Sequence, residues 1–132
     1  MARTTPCSPE IRRDRLRKAG QFLDAANLTA GQAGGKAENA DSFITLCIHA
    51  GIAASDVICC ARLGQHTQGE NHTEAVALLE KADSGSGKHL RVLLSMKTKV
   101  GYSHTEATAA DAKRAGRAAE ALVETARRVN AG

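Results

Sequence analysis

Between Leu93 and His104 the chain reads LLSMKTKVGYSH, a stretch whose side chains could hold a phosphate and move a proton. Lys97 and Lys99 offer ammonium groups as point charges for phosphate oxygens. The imidazole of His104 is of a type that can give or take a proton. Tyr102, the only tyrosine in the chain, stands between them. Lys88 and Arg91 extend the same basic stretch upstream, and no acid occurs from Ser84 to His104. A patch of this kind binds phosphates, or is a solvated basic turn.

A second constellation lies in SFITLCIHAGIAASDVICCA, residues 42–61. His49 and Asp56 fall about 20° apart on one helical face and roughly 10 Å apart along the axis. They are too far apart to bond each other. Each therefore needs a partner from another helix, because an unpaired buried polar group is costly. An arginine or lysine from the fourth or fifth helix would serve. The pair is then either a structural tie or one side of a polar cleft. Cys47, His49, Cys59 and Cys60 have the chemistry of metal ligands, but His49 and Cys60 stand about 16 Å apart along the helix. Metal–ligand bonds of about 2.0–2.3 Å cannot bring them to one ion. No metal and no cofactor is expected. Gly85-Ser86-Gly87-Lys88 is similar to the end of a phosphate-binding loop. It lacks the earlier glycine, and His89 stands where a serine or threonine would hold magnesium. It reads as a turn.

These residues must be positioned by helices. Residues 42–61 are apolar or small on nearly every side, so they form a helix that is buried all round. Asp56 alone would cost about 2.5–3.5 kcal/mol at the middle of a bilayer, so the helix is expected at the centre of a bundle, with no membrane. Ser8-Pro9-Glu10 begins the first helix with a capping hydroxyl, a proline and an acid. Leu16, Ala19, Leu23 and Ala26 give it one apolar stripe, and it runs to about Ala30. Gly31 to Gly35 is a break, and the central helix spans about Asp41 to Leu63. After a polar loop at Gln65 to Glu70, Asn71 caps a short helix to Ala82. A fourth helix covers about His89 to Lys97, and a loop follows near Val100 to Thr105. The last helix alternates Ala112, Ala115, Ala119, Leu122, Ala126 and Val129. The expected fold is all-α: an up-and-down bundle of three long and two short helices. It forms one domain over residues 8–130, behind a flexible N-terminus at 1–7.

Composition agrees. Aromatics are 2% of the 132 residues, which favours close helix packing through alanine over a β core. Arg3, Arg12, Arg13, Arg15, Arg17 and Lys18 face only Glu10 and Asp14 within residues 1–20, a surplus equal to the whole net charge of +4. The N-terminal residues carry no apolar secretory core, so reduced thiols in the cytoplasm are expected for Cys7, Cys47, Cys59 and Cys60.

Three segments in order resemble the HEPN family (higher eukaryotes and prokaryotes nucleotide-binding), across about residues 12–129. His49-Ala50-Gly51-Ile52-Ala53-Ala54-Ser55-Asp56 is similar to the family's second helix. His72-Thr73-Glu74-Ala75 with Leu78-Leu79 is similar to its next short helix. Leu93-Leu94 with Lys97, Lys99 and Tyr102 is similar to the turn before its closing helix. The resemblance implies a small helical bundle, often a homodimer, that acts on RNA or nucleotides in toxin–antitoxin or defence systems, sometimes with a cognate partner protein. Catalytic members are metal-independent ribonucleases that use an arginine followed by a histidine, with four to six residues between them. Here only lysine keeps that spacing, Lys99 and Lys97 before His104. Lysine lacks the bidentate fork of arginine. The resemblance therefore implies a protein that binds RNA or nucleotide, with degenerate or absent nuclease activity. Its alternatives are a ribonuclease using Lys99 and His104, and a module that binds another protein. Lys97, Tyr102, Lys88, Arg91, His49 and Asp56 would contact the substrate.

Overall fold

The computed structural model describes residues 3–32, 39–69 and 71–131. The break expected at Gly31 to Gly35 lies largely outside them. In chain order the elements are β1 (Thr4–Pro6), α1 (Pro9–Gln32), α2 (Ala40–Leu63), β2 (Gln65–Thr67), α3 (His72–Ala82), α4 (Gly87–Ser95), α5 (Lys97–Tyr102) and α6 (Ala109–Ala131). The protein is an all-α bundle, with one two-stranded sheet among the described residues.

Helix α2 is the centre, packed against α1, α6, α3, α4, α5 and β2. It is long and apolar enough to cross a membrane, yet 67% of its most apolar window is buried inside the protein. Burying Ile44, Ile58, Leu79, Leu93 and Leu122 completely contributes about 1.5–3 kcal/mol each. The alanine stripes let the long helices approach: Ala19 and Ala26 on α1 meet Ala50 and Ala54 on α2 and Ala115 and Ala119 on α6 in one core. Gly51 sets the closest approach. A Cβ there would lie 2.3 Å from Leu93 Cδ1 on α4, so even alanine would overpack the core.

The ends are made by local chemistry. Ser8 Oγ accepts the Ile11 N–H at 3.2 Å at the start of α1. Gly64 ends α2 with φ 72, a left-handed turn that glycine adopts without strain. Asn71 Oδ1 accepts the Glu74 N–H at 3.0 Å and caps α3. At α6, Thr108 and Asp111 cap each other's backbone at 3.1 Å both ways.

Several expectations are corrected. Residues 3–7 are tied down, and part of the polar loop after α2 is a strand. β1 runs antiparallel to β2, with Thr4 opposite Thr67, Thr5 opposite His66 and Pro6 opposite Gln65. A disulfide joins Cys7 to Cys60 near the end of α2, with Cα atoms 5.9 Å apart, so these two cysteines are not free thiols. The covalent tie brings the N-terminal segment back onto the α2–β2 corner. Cys47 and Cys59 remain buried thiols, both pushed up to about 12 by burial, and are inert core groups. A further correction is α5, which takes up the first half of the expected loop at 100–105, as far as Tyr102. Met96 is buried between α4 and α5, and its carbonyl accepts the Val100 N–H at 3.1 Å, which starts another helical turn.

Candidate functional site

A cavity of about 270 Å³ opens where α2, the β2–α3 corner, α4 and α5 meet. Its polar lining comprises His49, Ser55 and Asp56 from α2, Thr67 from β2, Asn71 and His72 at the start of α3, and Lys97 at the start of α5. Ile52, Ala75, Leu90 and Leu94 supply an apolar wall. Three residues singled out from the sequence, His49, Asp56 and Lys97, thus share one site. His72 and Asn71 join them at the N-terminal end of a helix, where backbone N–H groups carry partial positive charge.

Asp56 is buried at 9% exposure, and burial pushes its carboxyl up while Arg15 and His66 pull it down. The partner comes from neither of the helices expected to supply it, α4 and the closing helix α6, but from α1. Arg15 Nη2 and Nε both donate to Asp56 Oδ2, at 2.7 and 3.0 Å. On the other side His66 Nδ1 lies 3.8 Å from Asp56 Oδ1 and 2.8 Å from the Thr67 carbonyl. A carbonyl only accepts, so Nδ1 carries the proton. Arg15 was hidden among the arginines of α1. Its one signal is position: it lies four residues before Ala19, on the flank of the apolar stripe.

His49 also departs from expectation. It is exposed, and its ring stacks on Phe22 of α1 with centroids 5.2 Å apart. The rise of α2 past α1 carries it to the rim of the cavity, so it needs no buried partner.

The remaining sequence candidates fall elsewhere. Lys99 does not line the cavity and donates to Asp111 Oδ2 at 3.0 Å, bracing the start of α6. Tyr102, the last residue of α5, is 81% exposed, and His104 is exposed on the segment between α5 and α6. Lys88 is exposed in the first turn of α4. Arg91 lines a neighbouring groove of about 490 Å³ between α3 and α4, which shares His72 and Leu94 with the cavity.

The glycine turn before α4 has its own anion. Glu80 accepts the Gly85 N–H at 2.9 Å and the Gly87 N–H at 2.9 Å. Those backbone bonds hold its carboxyl below the ordinary 4.5, as the Thr108 N–H and Lys99 hold Asp111 below 3.8. A lowered carboxylate stabilises the fold above its unfolded value and loses that contribution as pH falls through the folded one. The Gly85 and Gly87 amide resonances should therefore titrate with a midpoint below 4.5, and that of Thr108 below 3.8. Midpoints at or above those values would contradict the geometry. The turn that resembles a phosphate loop is filled from within.

Among the described residues no cluster of histidine, cysteine, aspartate or glutamate has the arrangement to hold a metal ion. The chain matches no protein-family model, and no curated protein is significantly similar to it.

Proposed function

We propose that the protein binds a nucleotide, free or at the end of an RNA strand, with its phosphate between Lys97 and the start of α3. The observation that carries this reading is the composition of the cavity: a lysine and two histidines around a helix N-terminus, facing an apolar wall. Phosphate is favoured at a helix N-terminus and beside an ammonium group. The carboxylate of Asp56 is offset by Arg15 behind it, so it does not cancel Lys97. Ile52, Ala75, Leu90 and Leu94 form the surface a base or ribose would cover, while Thr67 and Asn71 offer polar contacts at its edge. The volume is at the small end for a ligand site and matches a mononucleotide better than a dinucleotide. The resemblance to nucleotide-binding HEPN bundles supports the same class of ligand.

Calorimetric titration with adenosine 5′-monophosphate tests this. Lys97→Gln should weaken binding by about 10- to 100-fold, the worth of one charge-assisted hydrogen bond. Lys99→Gln should leave it unchanged, because that ammonium sits on Asp111. Adenosine without phosphate should bind far more weakly. Equal binding of adenosine and its monophosphate, or a silent Lys97→Gln, rejects the phosphate position.

A further inference from the structure

We propose that the Cys7–Cys60 disulfide is a redox latch on the nucleotide cavity, which a dithiol reductant opens by releasing β1 from β2. The inference rests on the binding reading above and adds its regulation.

Thr67 lines the cavity and is also the residue that pairs with Thr4 of β1. The strand that forms this wall is thus supported from outside by the N-terminal segment. That support is slight apart from the covalent bond. Thr4 Oγ1 donates to Gln65 Oε1 at 2.9 Å, the Gln68 N–H to the Arg3 carbonyl at 2.7 Å, and the Cys7 N–H to the Gly64 carbonyl at 3.1 Å. None of Thr4, Thr5 and Pro6 is buried. A two-stranded ribbon is marginal alone in water, so the disulfide decides whether β1 stays docked.

The sulfurs differ in access. Cys60 is 7% exposed on α2, while Cys7 is half-buried on the outer segment. A dithiol's thiolate attacks the Cys7 sulfur, the S–S bond breaks, and Cys60 leaves as a thiolate that takes a proton. The second thiol of the reductant then displaces Cys7, which leaves as a thiol, and the reductant ends as a disulfide. Two electrons and two protons pass to the protein. Cys47 and Cys59 are buried and take no part.

With β1 released, the outer edge of β2 faces water, and the wall carrying Thr67 is no longer held. His66, which stands against Asp56 from the same strand, loosens with it. The binding-competent arrangement is then populated only part of the time, and apparent affinity falls by that fraction.

The test is titration of adenosine 5′-monophosphate into oxidised protein, dithiothreitol-reduced protein, Cys7→Ser, and the Cys7→Ala/Cys60→Ala pair. Hydrogen exchange at the Gln68 amide and far-ultraviolet circular dichroism are followed in parallel. The expected result is affinity about tenfold weaker in all three open forms. Helix content should be retained and protection at Gln68 lost. Equal affinity in oxidised and open forms overturns the latch and leaves the binding reading standing. Binding in no form rejects the binding reading, and the latch with it. Retained protection at Gln68 after reduction shows that β1 stays docked and also overturns it. So does loss of helix in every open form, since the bond would then hold the bundle rather than the cavity wall.

Discussion

Breaking the Cys7–Cys60 bridge is expected to cost about 4 kcal/mol of global stability. The two cysteines are 53 residues apart in sequence. Closing a loop of that length removes chain entropy from the unfolded state, between the roughly 3 kcal/mol of a 15-residue loop and the 4.7 of a 100-residue one. For a chain of this size the melting temperature should fall by about 10–20 °C on reduction or in Cys7→Ser. Native-state helix content should hold, because α1, α2 and α6 pack through Ala19, Ala50 and Ala119 without help from the bridge. Thiol counting gives an independent check. Oxidised native protein should show no reactive thiol, and Cys47 and Cys59 should label only after unfolding. A melting temperature unmoved by reduction would mean that the bridge does not constrain the unfolded chain.

The stability and the proposed latch share a bond but act through different states. The global loss comes from the unfolded chain, which gains freedom wherever the cross-link is absent. The latch acts within the folded state, where only β1 and β2 respond. A variant that keeps β1 docked but lacks the bridge would lose melting temperature without losing nucleotide affinity.

Two of the long helices were legible because each carries a repeating apolar stripe, and α2 because it is apolar or small on nearly every side. Leu16, Ala19, Leu23 and Ala26 do so on α1, and Ala115, Ala119, Leu122 and Ala126 on α6. Their ends were legible where a single residue makes the cap, as at Ser8, Asn71 and Gly64. The β1–β2 ribbon was not, since strands of three residues are too short to show a period, and Gln65-His66-Thr67 is as polar as any loop. The disulfide was not, because Cys60 sits in an apolar helix where a cysteine also serves as packing. Of the site, His49, Asp56 and Lys97 were named from chemistry, but their meeting in one cavity depends on how α5 turns at Met96. His72 was read as part of a helix start, and only the corner after β2 turns that start toward Lys97.

Asp56 and Arg15 should prove to be one energetic unit. Asp56→Ala leaves a guanidinium that is 29% exposed without its carboxylate, and Arg15→Ala leaves a carboxylate that is 12% exposed without its cation. Removing one member of a buried pair typically costs about 3–5 kcal/mol, and the partial exposure of Arg15 puts Asp56→Ala at the lower end of that range. Asp56→Leu should cost less, since an apolar side chain of similar size refills the space beside Cys59 and Ser55. Arg15→Ala adds a pH signature. Without the arginine, burial drives the Asp56 carboxyl further above 3.8, so its ionisation opposes folding. A raised carboxyl favours the folded state below its unfolded value, and that advantage is lost as pH rises through the folded one. Arg15→Ala should therefore be closest to wild type in acid and fall behind as pH rises toward neutrality. In the cycle of wild type, Arg15→Ala, Asp56→Ala and Arg15→Ala/Asp56→Ala, the double variant should lose about 1–3 kcal/mol less than the sum of its two parents. Urea unfolding of the four proteins at two pH values decides it. Losses that add to within about 0.5 kcal/mol would show that the two residues act independently. The cavity would then face a carboxylate with no arginine behind it, and Lys97 would have to hold a phosphate against that charge.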